Sequence, residues 1–497
     1  MSYKINRGAR SCVSIFILIL SLTIHVSVSA QIDNHISQFI NDTSFIHAGI
    51  SVCFRDTESG HILAEYNKDM ALGSASVMKL VTTAVSLEML GPDFRFPTMI
   101  GYTGRINKSD SSLDGHIIIR GGGDPGLLSE YFPEHYAGLI DRWADAVYDS
   151  GIRKVRGSVV ADALIFNYHP APGGWTWSDL GNYYGAGAHG ISIFDNMYRI
   201  HFKTGTEGSK PEITGIEPDI PGLIIENRLV AAGNKDNGYV YLEPYGDHAI
   251  IRGSIPPDRD DFVLKASIPD PPYLCAYIFS EALEKRGISI EDNATSLRLS
   301  PGLKDEFKSA EKTVLATTWS PPLSEVIKQT NTESLNMFAE QLLKYISYRS
   351  EMKEYASKSG GIKAIMDYLD FLLENSGGIY ITDGSGLSRS NAITSSFLTS
   401  LLHVMNTGNR YKEVFFNSLP EAGKSGTLEY YFKDPVFEGR LRAKSGTSTR
   451  IRNYAGYLTT NSGQKICFAV LTNNFDCSSS EVTGKVEKLL KNAIEGY

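Results

Sequence analysis

The chain has 497 residues, 42% of them hydrophobic, which is ample apolar material for roughly two or three domains with real cores. Its 48 Lys and Arg stand against 56 Asp and Glu, a net charge of −8 at pH 7, which argues against a nucleic-acid partner. Neither a low-complexity tract nor a coiled-coil repeat nor a second long apolar span occurs, so fibrous and polytopic membrane classes are excluded.

Residues 1–30 read as an export signal: Lys4, Arg7 and Arg10 precede an apolar run from Val13 to Ile24, and Val28-Ser29-Ala30 offers small residues for cleavage after Ala30. The apolar run is short for a membrane anchor, and Cys12 lacks the aliphatic pattern of a lipidation site. Removing this leader takes away cations and no acids, leaving the rest more acidic still. The remaining Cys53, Cys275, Cys467 and Cys477 would sit where disulfides are permitted, and three pairings are open. Cys53 and Cys467 fall in apolar, strand-like runs, which favours buried free thiols.

Ile50–Phe54 and His61–Tyr66 flank Asp56-Thr57-Glu58-Ser59-Gly60 and predict a strand, a turn and a strand. Gly73-Ser74-Ala75 then leads into Ser76-Val77-Met78-Lys79 and the apolar run Leu80–Leu90, which predicts a buried helix opening at the serine. At this spacing a hydroxyl and an amine share one helix face, and a neutral lysine is one way to activate a serine without histidine. No G-x-S-x-G elbow occurs. From about Phe94 to Ala310 glycines, prolines and short runs such as His116–Arg120 and Gly238–Leu242 predict one or two β-rich inserted domains with few long helices.

Gly121-Gly122-Gly123-Asp124-Pro125-Gly126 formally fits a dinucleotide loop, but Pro125 lacks an N–H and Asp124 would repel phosphate. Helical periodicity returns at Leu323–Ile327, Leu335–Ile346, Ile362–Leu373 and Ser396–Met405. Ser334 and Asn336 stand at the start of the second of these, where helix capping is the simple explanation and a paired hydroxyl and amide the chemical one. Two Lys-Ser-Gly triplets follow, at Lys424 and Lys444. The first lies in a loop; the second precedes the strand-like runs Asn453–Leu458 and Ile466–Leu471 and a helix from about Ser479 to Ile494. Strands from both chain ends thus predict one antiparallel sheet flanked by helices, an α/β (α+β) fold. The histidines and cysteines show no metal-ligand spacing.

Ser76-x-x-Lys79, Ser334-x-Asn336 and Lys444-Ser445-Gly446, in that order, match the three signature motifs of penicillin-binding proteins and serine β-lactamases. With Gly122-Gly123-Asp124-Pro125, Gly174-Trp175-x-Trp177-x-Asp179, Asp383-Gly384-Ser385-Gly386-Leu387-Ser388-Arg389 and Leu419–Leu428, nearly the whole chain resembles the D-Ala-D-Ala carboxypeptidase/endopeptidases of the low-molecular-mass class C penicillin-binding proteins. The resemblance implies a transpeptidase-like catalytic domain (31–93 and 311–497) interrupted by insertions (94–310), and the export signal predicts a periplasmic or otherwise exported location.

The implied substrates are peptidoglycan stem peptides and the implied inhibitors β-lactams, with no metal or cofactor, no nucleic acid, and peripheral membrane or cell-wall association left open. By the same resemblance Ser76 is the nucleophile, Lys79 its base, Ser334 a proton relay, Asn336 an amide holder, and Lys444, Ser445, Gly446 and Thr447 the carboxylate and oxyanion strand. Asp179 and Arg389 match positions suited to a diaminopimelate-type stem peptide. Leu335 and Ser445 depart modestly from the usual motif residues. A serine β-lactamase and a catalytically silent wall-binding or β-lactam-sensing protein remain as rival functions.

Overall fold

The computed structural model describes residues 33–351, 355–373 and 376–496, so the expected export signal lies outside them. The elements that position the site are β1 (Gly49–Asp56), β2 (Ile62–Tyr66), α1 (Met78–Leu90), α2 (Asn336–Glu351), α3 (Ser395–Asn406), β3 (Leu441–Ser448), β4 (Ile451–Thr459), β5 (Lys465–Asn473) and α4 (Ser479–Glu495). The chain divides into two compact units, one holding the segments up to Val77, Leu372–Tyr380 and Ala392 onward, the other Met78–Phe371 with Ile381–Asn391.

The first unit is organised by a five-stranded antiparallel sheet in the order β2-β1-β5-β4-β3. The two ends of the chain meet here as the sequence predicts, with Val52 opposite Val470 and Phe54 opposite Phe468. β4 and β5 are buried along almost their whole length, which is why they read as apolar runs rather than alternating ones. Tyr454 and Tyr457 lie three apart on β4 and so face opposite sides of the sheet. The hydroxyl of Tyr454 bonds Thr483 of α4 at 3.0 Å, while that of Tyr457 donates to the Leu402 carbonyl of α3 at 2.8 Å, which puts one helix on each face. All four described cysteines are free thiols, and Cys53 accepts a hydrogen bond from Thr399 at 3.2 Å.

In the second unit α1 is buried on every side from Met78 to Leu87, as expected of a helix that is apolar all round. The segment between α1 and α2 is β-rich. A five-stranded sheet joins Pro97–Thr103, Ile117–Gly121, Val159–Asp162, Thr295–Ser296 and Lys312–Trp319, and two three-stranded sheets lie within residues 197–267. It also holds two helices longer than the sequence suggests, Leu139–Asp149 and Pro271–Lys285. The second was obscured by Pro271-Pro272, which reads as a breaker. Proline is favoured in a first turn, and the Asp270 side chain caps the helix by accepting from the Tyr273 N–H at 3.2 Å. Among the described residues no helix is long and apolar enough to cross a membrane.

Phe468 is fully buried on β5 and stacks on Phe54 with ring centroids 6.4 Å apart. Phe468→Ala is expected to destabilise the sheet-bearing unit by about 3–5 kcal/mol, read as a lower urea midpoint by tyrosine fluorescence.

Candidate active site

In the second unit Lys79 lies on the first turn of α1, its side chain wholly buried. Its Nζ donates to Asn336 Oδ1 at 2.5 Å and to the Ser385 carbonyl at 2.8 Å. Burial pushes the amine from its ordinary value near 10.5 down to about 7, against the opposing pull of Asp383 and Glu340. Asn336 is itself oriented, because its amide donates to the Tyr184 carbonyl at 2.8 Å. The sequence-predicted Lys79 and Asn336 are therefore in direct contact.

Two carboxylates that the sequence left without roles shape this environment. Asp383 accepts from Trp175 Nε1 at 2.8 Å, Gly386 N at 2.7 Å, Ser388 N at 2.6 Å and Asn391 Nδ2 at 2.7 Å. These bonds fold the Asp383–Arg389 run into a fixed loop and aim its Ser385 carbonyl at the lysine. Glu340, one turn beyond Asn336 on α2, accepts from the Ser385 N–H at 2.8 Å, and burial pushes its carboxyl up to about 8. The available signal was a carboxylate at i+4 from Asn336 inside the apolar run Met337–Leu343. Farther along α2, Lys344 is also buried, donates to the His169 and Ala188 carbonyls at 2.9 and 3.0 Å, and is pushed down to about 7.

In the first unit Ser76 occupies a 3-10 turn, Ala75–Val77, that leads directly into α1. Lys444, Ser445, Gly446 and Thr447 lie on β3, the edge strand. A Cβ added at Gly446 would stand 2.9 Å from the Ser74 carbonyl and 3.1 Å from both the Ser76 and Val77 nitrogens. Only glycine lets β3 approach the backbone of the serine turn this closely. Asn453 of β4 fixes the approach to that turn by donating to the Gly73 and Ser74 carbonyls at 2.8 and 2.9 Å. Lys444 is fully buried and donates to the Ser445 carbonyl at 2.9 Å, and Ser445 Oγ donates to Thr427 Oγ1 at 2.9 Å. Thr447 accepts from Arg452, whose Nε also donates to Thr483 at 2.9 Å.

The rejected triplet is different: Lys424 is half exposed on a turn and pairs with Glu421 at 2.8 Å and Glu438 at 3.5 Å. Ser334, in the second unit, joins helix Leu323–Thr332 to α2 with φ +62°, and Ala75, just before Ser76, has φ +43°. Left-handed non-glycine residues cost backbone energy and concentrate at functional sites. Asp179 caps its own helix: its Oδ2 accepts from the Thr176 N–H at 2.9 Å and the Thr176 hydroxyl at 2.7 Å. Arg389 is exposed at the end of the Asp383 loop. The glycine-rich run is no phosphate cradle. Asp124 is buried and accepts from Tyr136 at 2.7 Å and Gly126 N at 2.9 Å, and a Cβ at Gly122 would stand 1.9 Å from the Pro97 carbonyl.

The sequence profile of the D-Ala-D-Ala carboxypeptidase 3 (S13) family matches residues 29–493. The chain belongs to that family. It is thus a serine-type D-Ala-D-Ala carboxypeptidase of the penicillin-binding protein group. Among its S13 relatives, a D-alanyl-D-alanine carboxypeptidase of Actinomadura sp. (strain R39) is 28% identical over 89% of this chain and 81% of the relative. D-alanyl-D-alanine carboxypeptidase DacB of Haemophilus influenzae is 24% identical over 94% of both chains. The crystal structure of penicillin-binding protein 4 (dacB) from Haemophilus influenzae shares the fold, with a TM-score of 0.77 at 22% identity, covering 92% of this chain and 97% of that one. The same protein has been solved in complex with a β-lactam, with a TM-score of 0.72 at 21% identity over 90% of this chain and 95% of that one.

The close approach at Gly446 makes a specific demand on this S13 protein. Gly446→Ala is expected to slow covalent labelling by a fluorescent penicillin by at least ~10-fold while moving the thermal midpoint by only a few degrees, since one added methyl at an edge strand displaces it locally.

Proposed function

We propose that Ser76 is the acylated nucleophile and Lys79, in its neutral form, the base that takes the serine proton. The serine oxygen then attacks the carbonyl of the penultimate D-alanine of a peptidoglycan stem peptide. The backbone N–H groups of Ser76 and Thr447 stabilise the oxyanion, Ser334 passes a proton to the departing D-alanine, and Asn336 orients Lys79 and holds the substrate amide. Lys444, with Ser445 and Thr447, binds the terminal carboxylate, and Gly446 keeps the strand close to the serine turn. Water deacylates the enzyme, giving carboxypeptidase turnover, or endopeptidase turnover when the scissile bond is a cross-link. No step calls on a metal or a cofactor.

β-Lactams acylate the same serine and leave slowly. Asp179 and Arg389 meet amino and carboxylate groups of the stem peptide; Asp179 spends Oδ2 on Thr176, so Oδ1 is the atom that faces this task. The catalytic domain comprises 31–93 and 311–497 with 94–310 inserted, and the protein is exported to the periplasm after cleavage of its leader, where it meets the wall.

The observation that carries this reading is the buried Lys79 amine, gripped by Asn336 and the Ser385 carbonyl and pushed down to about 7. An ordinary lysine is almost fully protonated at neutral pH and is no base; this one is substantially neutral there. Because the amine must be unprotonated to act, the acylation rate constant with a labelled penicillin is expected to rise with pH through about 7 and then level off. A flat profile between pH 5.5 and 9 would contradict the role of Lys79. Ser76→Ala is expected to lower release of D-alanine from a D-Ala-D-Ala peptide by at least ~10³-fold. Intact-mass spectrometry should find one penicillin adduct, on the peptide bearing Ser76, that persists for many turnovers' worth of time. Rapid loss of the adduct would instead favour a β-lactamase.

A further inference from the structure

Within the second unit, on residues that serve none of the steps above, lies a groove of about 700 Å³. Among the described residues its walls carry Arg120, Lys304, Lys308, Lys312 and Arg349 against a single acid, Asp162, in a chain whose overall charge is −8. The cations come from separate elements: Arg120 from strand Ile117–Gly121, Lys304 and Lys308 from helix Leu303–Ser309, Lys312 from strand Lys312–Trp319, and Arg349 from the last turn of α2. Convergence of this kind is not the solvated face of one helix. The helix itself sorts its charges: Lys304 and Lys308, at i and i+4, line the groove, whereas Asp305 and Glu306 do not. Asp162 lies 3.8 Å from Arg120.

The groove also presents ring surface. Tyr348 and Tyr355 line it above the buried Tyr345, and Lys304 lies 5.8 Å from the Tyr355 ring centroid. Clustered cations recognise carboxylate or phosphate, and phenol rings offer flat, amphipathic faces to the C–H surface of a sugar ring. We propose that this groove is a second binding site for an anionic glycan, a sugar chain bearing carboxylates or phosphates, and that it tethers the protein to the wall independently of Ser76. The site rests on the protein meeting the wall but on no part of the acylation mechanism.

The test uses the full mature protein and its Arg120→Glu/Lys308→Glu variant, with Lys308→Gln as a milder substitution on the exposed helix should the double variant fold poorly. Co-sedimentation with purified sacculi is expected to fall at least ~10-fold for the double variant and to weaken for both proteins as salt rises from about 0.05 to 0.3 M. Penicillin acylation rates should stay unchanged, which separates failure here from failure of the catalytic reading. Competition then distinguishes the two sources of charge: displacement by peptide-free glycan strands identifies carboxylate-bearing sugars, and displacement by poly(glycerol phosphate) identifies phosphate. Sedimentation that is unchanged by charge reversal, or equally strong binding to duplex DNA, would overturn the proposal.

Discussion

A lysine amine removed from water must either find enough acceptors to keep its proton or give the proton up, and the second unit is arranged around that choice at Lys79. Full burial disfavours the charged form by more than the nearby carboxylates restore, so the amine comes to rest near neutrality instead of near its ordinary value. The balance needs both influences. Burial lowers its proton affinity, and Asp383 and Glu340 raise it again. With more acceptors it would stay an ammonium. α1 is buried on all sides from Met78 to Leu87, which is why it shows no amphipathic stripe.

The same logic extends outward through hydrogen bonds. Asp383 is held by four donors, one of them the indole of Trp175, so the loop that faces the lysine is anchored to a residue more than two hundred positions earlier in the chain. Glu340 ties that loop to α2, and α2 delivers Asn336 to the amine. Each link is buried and satisfied, and a partly satisfied version would cost more than an apolar core. Long-range dependence of this sort ties Trp175 to the loop whose Asp383 acts on the lysine.

Much of this was legible beforehand. The apolar runs at Ile50–Phe54 and Ile466–Leu471 announced themselves as strands because central strands covered on both faces need not alternate, and their antiparallel pairing followed from the turn and helix signals around them. The pairs Ser76/Lys79 and Ser334/Asn336 and the Lys444 triplet were found because their chemistry requires fixed short spacings. What escaped notice acts across long separations or through the main chain: Glu340 and Asp383 gain meaning only once α2 and the loop are folded together, and the helix at Pro271 was hidden by prolines that serve as its opening turn. Nor could composition reveal that Ala75, just before Ser76, and Ser334 itself, neither of them glycine, take left-handed backbone angles. That property belongs to the surrounding packing and not to the residues.

One group gripping Lys79 is the carbonyl of Ser385, a piece of main chain. Every residue has one, so no replacement at position 385 deletes it, although the buried Ser385 side chain accepts from the Leu387 N–H at 3.3 Å and so helps to hold the loop. A side-chain scan of this protein would thus report the Asn336 contact directly and the carbonyl contact only through the loop. The grip answers instead to the shape of the loop, and so to Asp383, Asn391 and Trp175, none of which contacts the amine by a hydrogen bond that the structure describes. Tuning of the amine is in this way displaced from the residue that performs the contact to those that bend the chain around it.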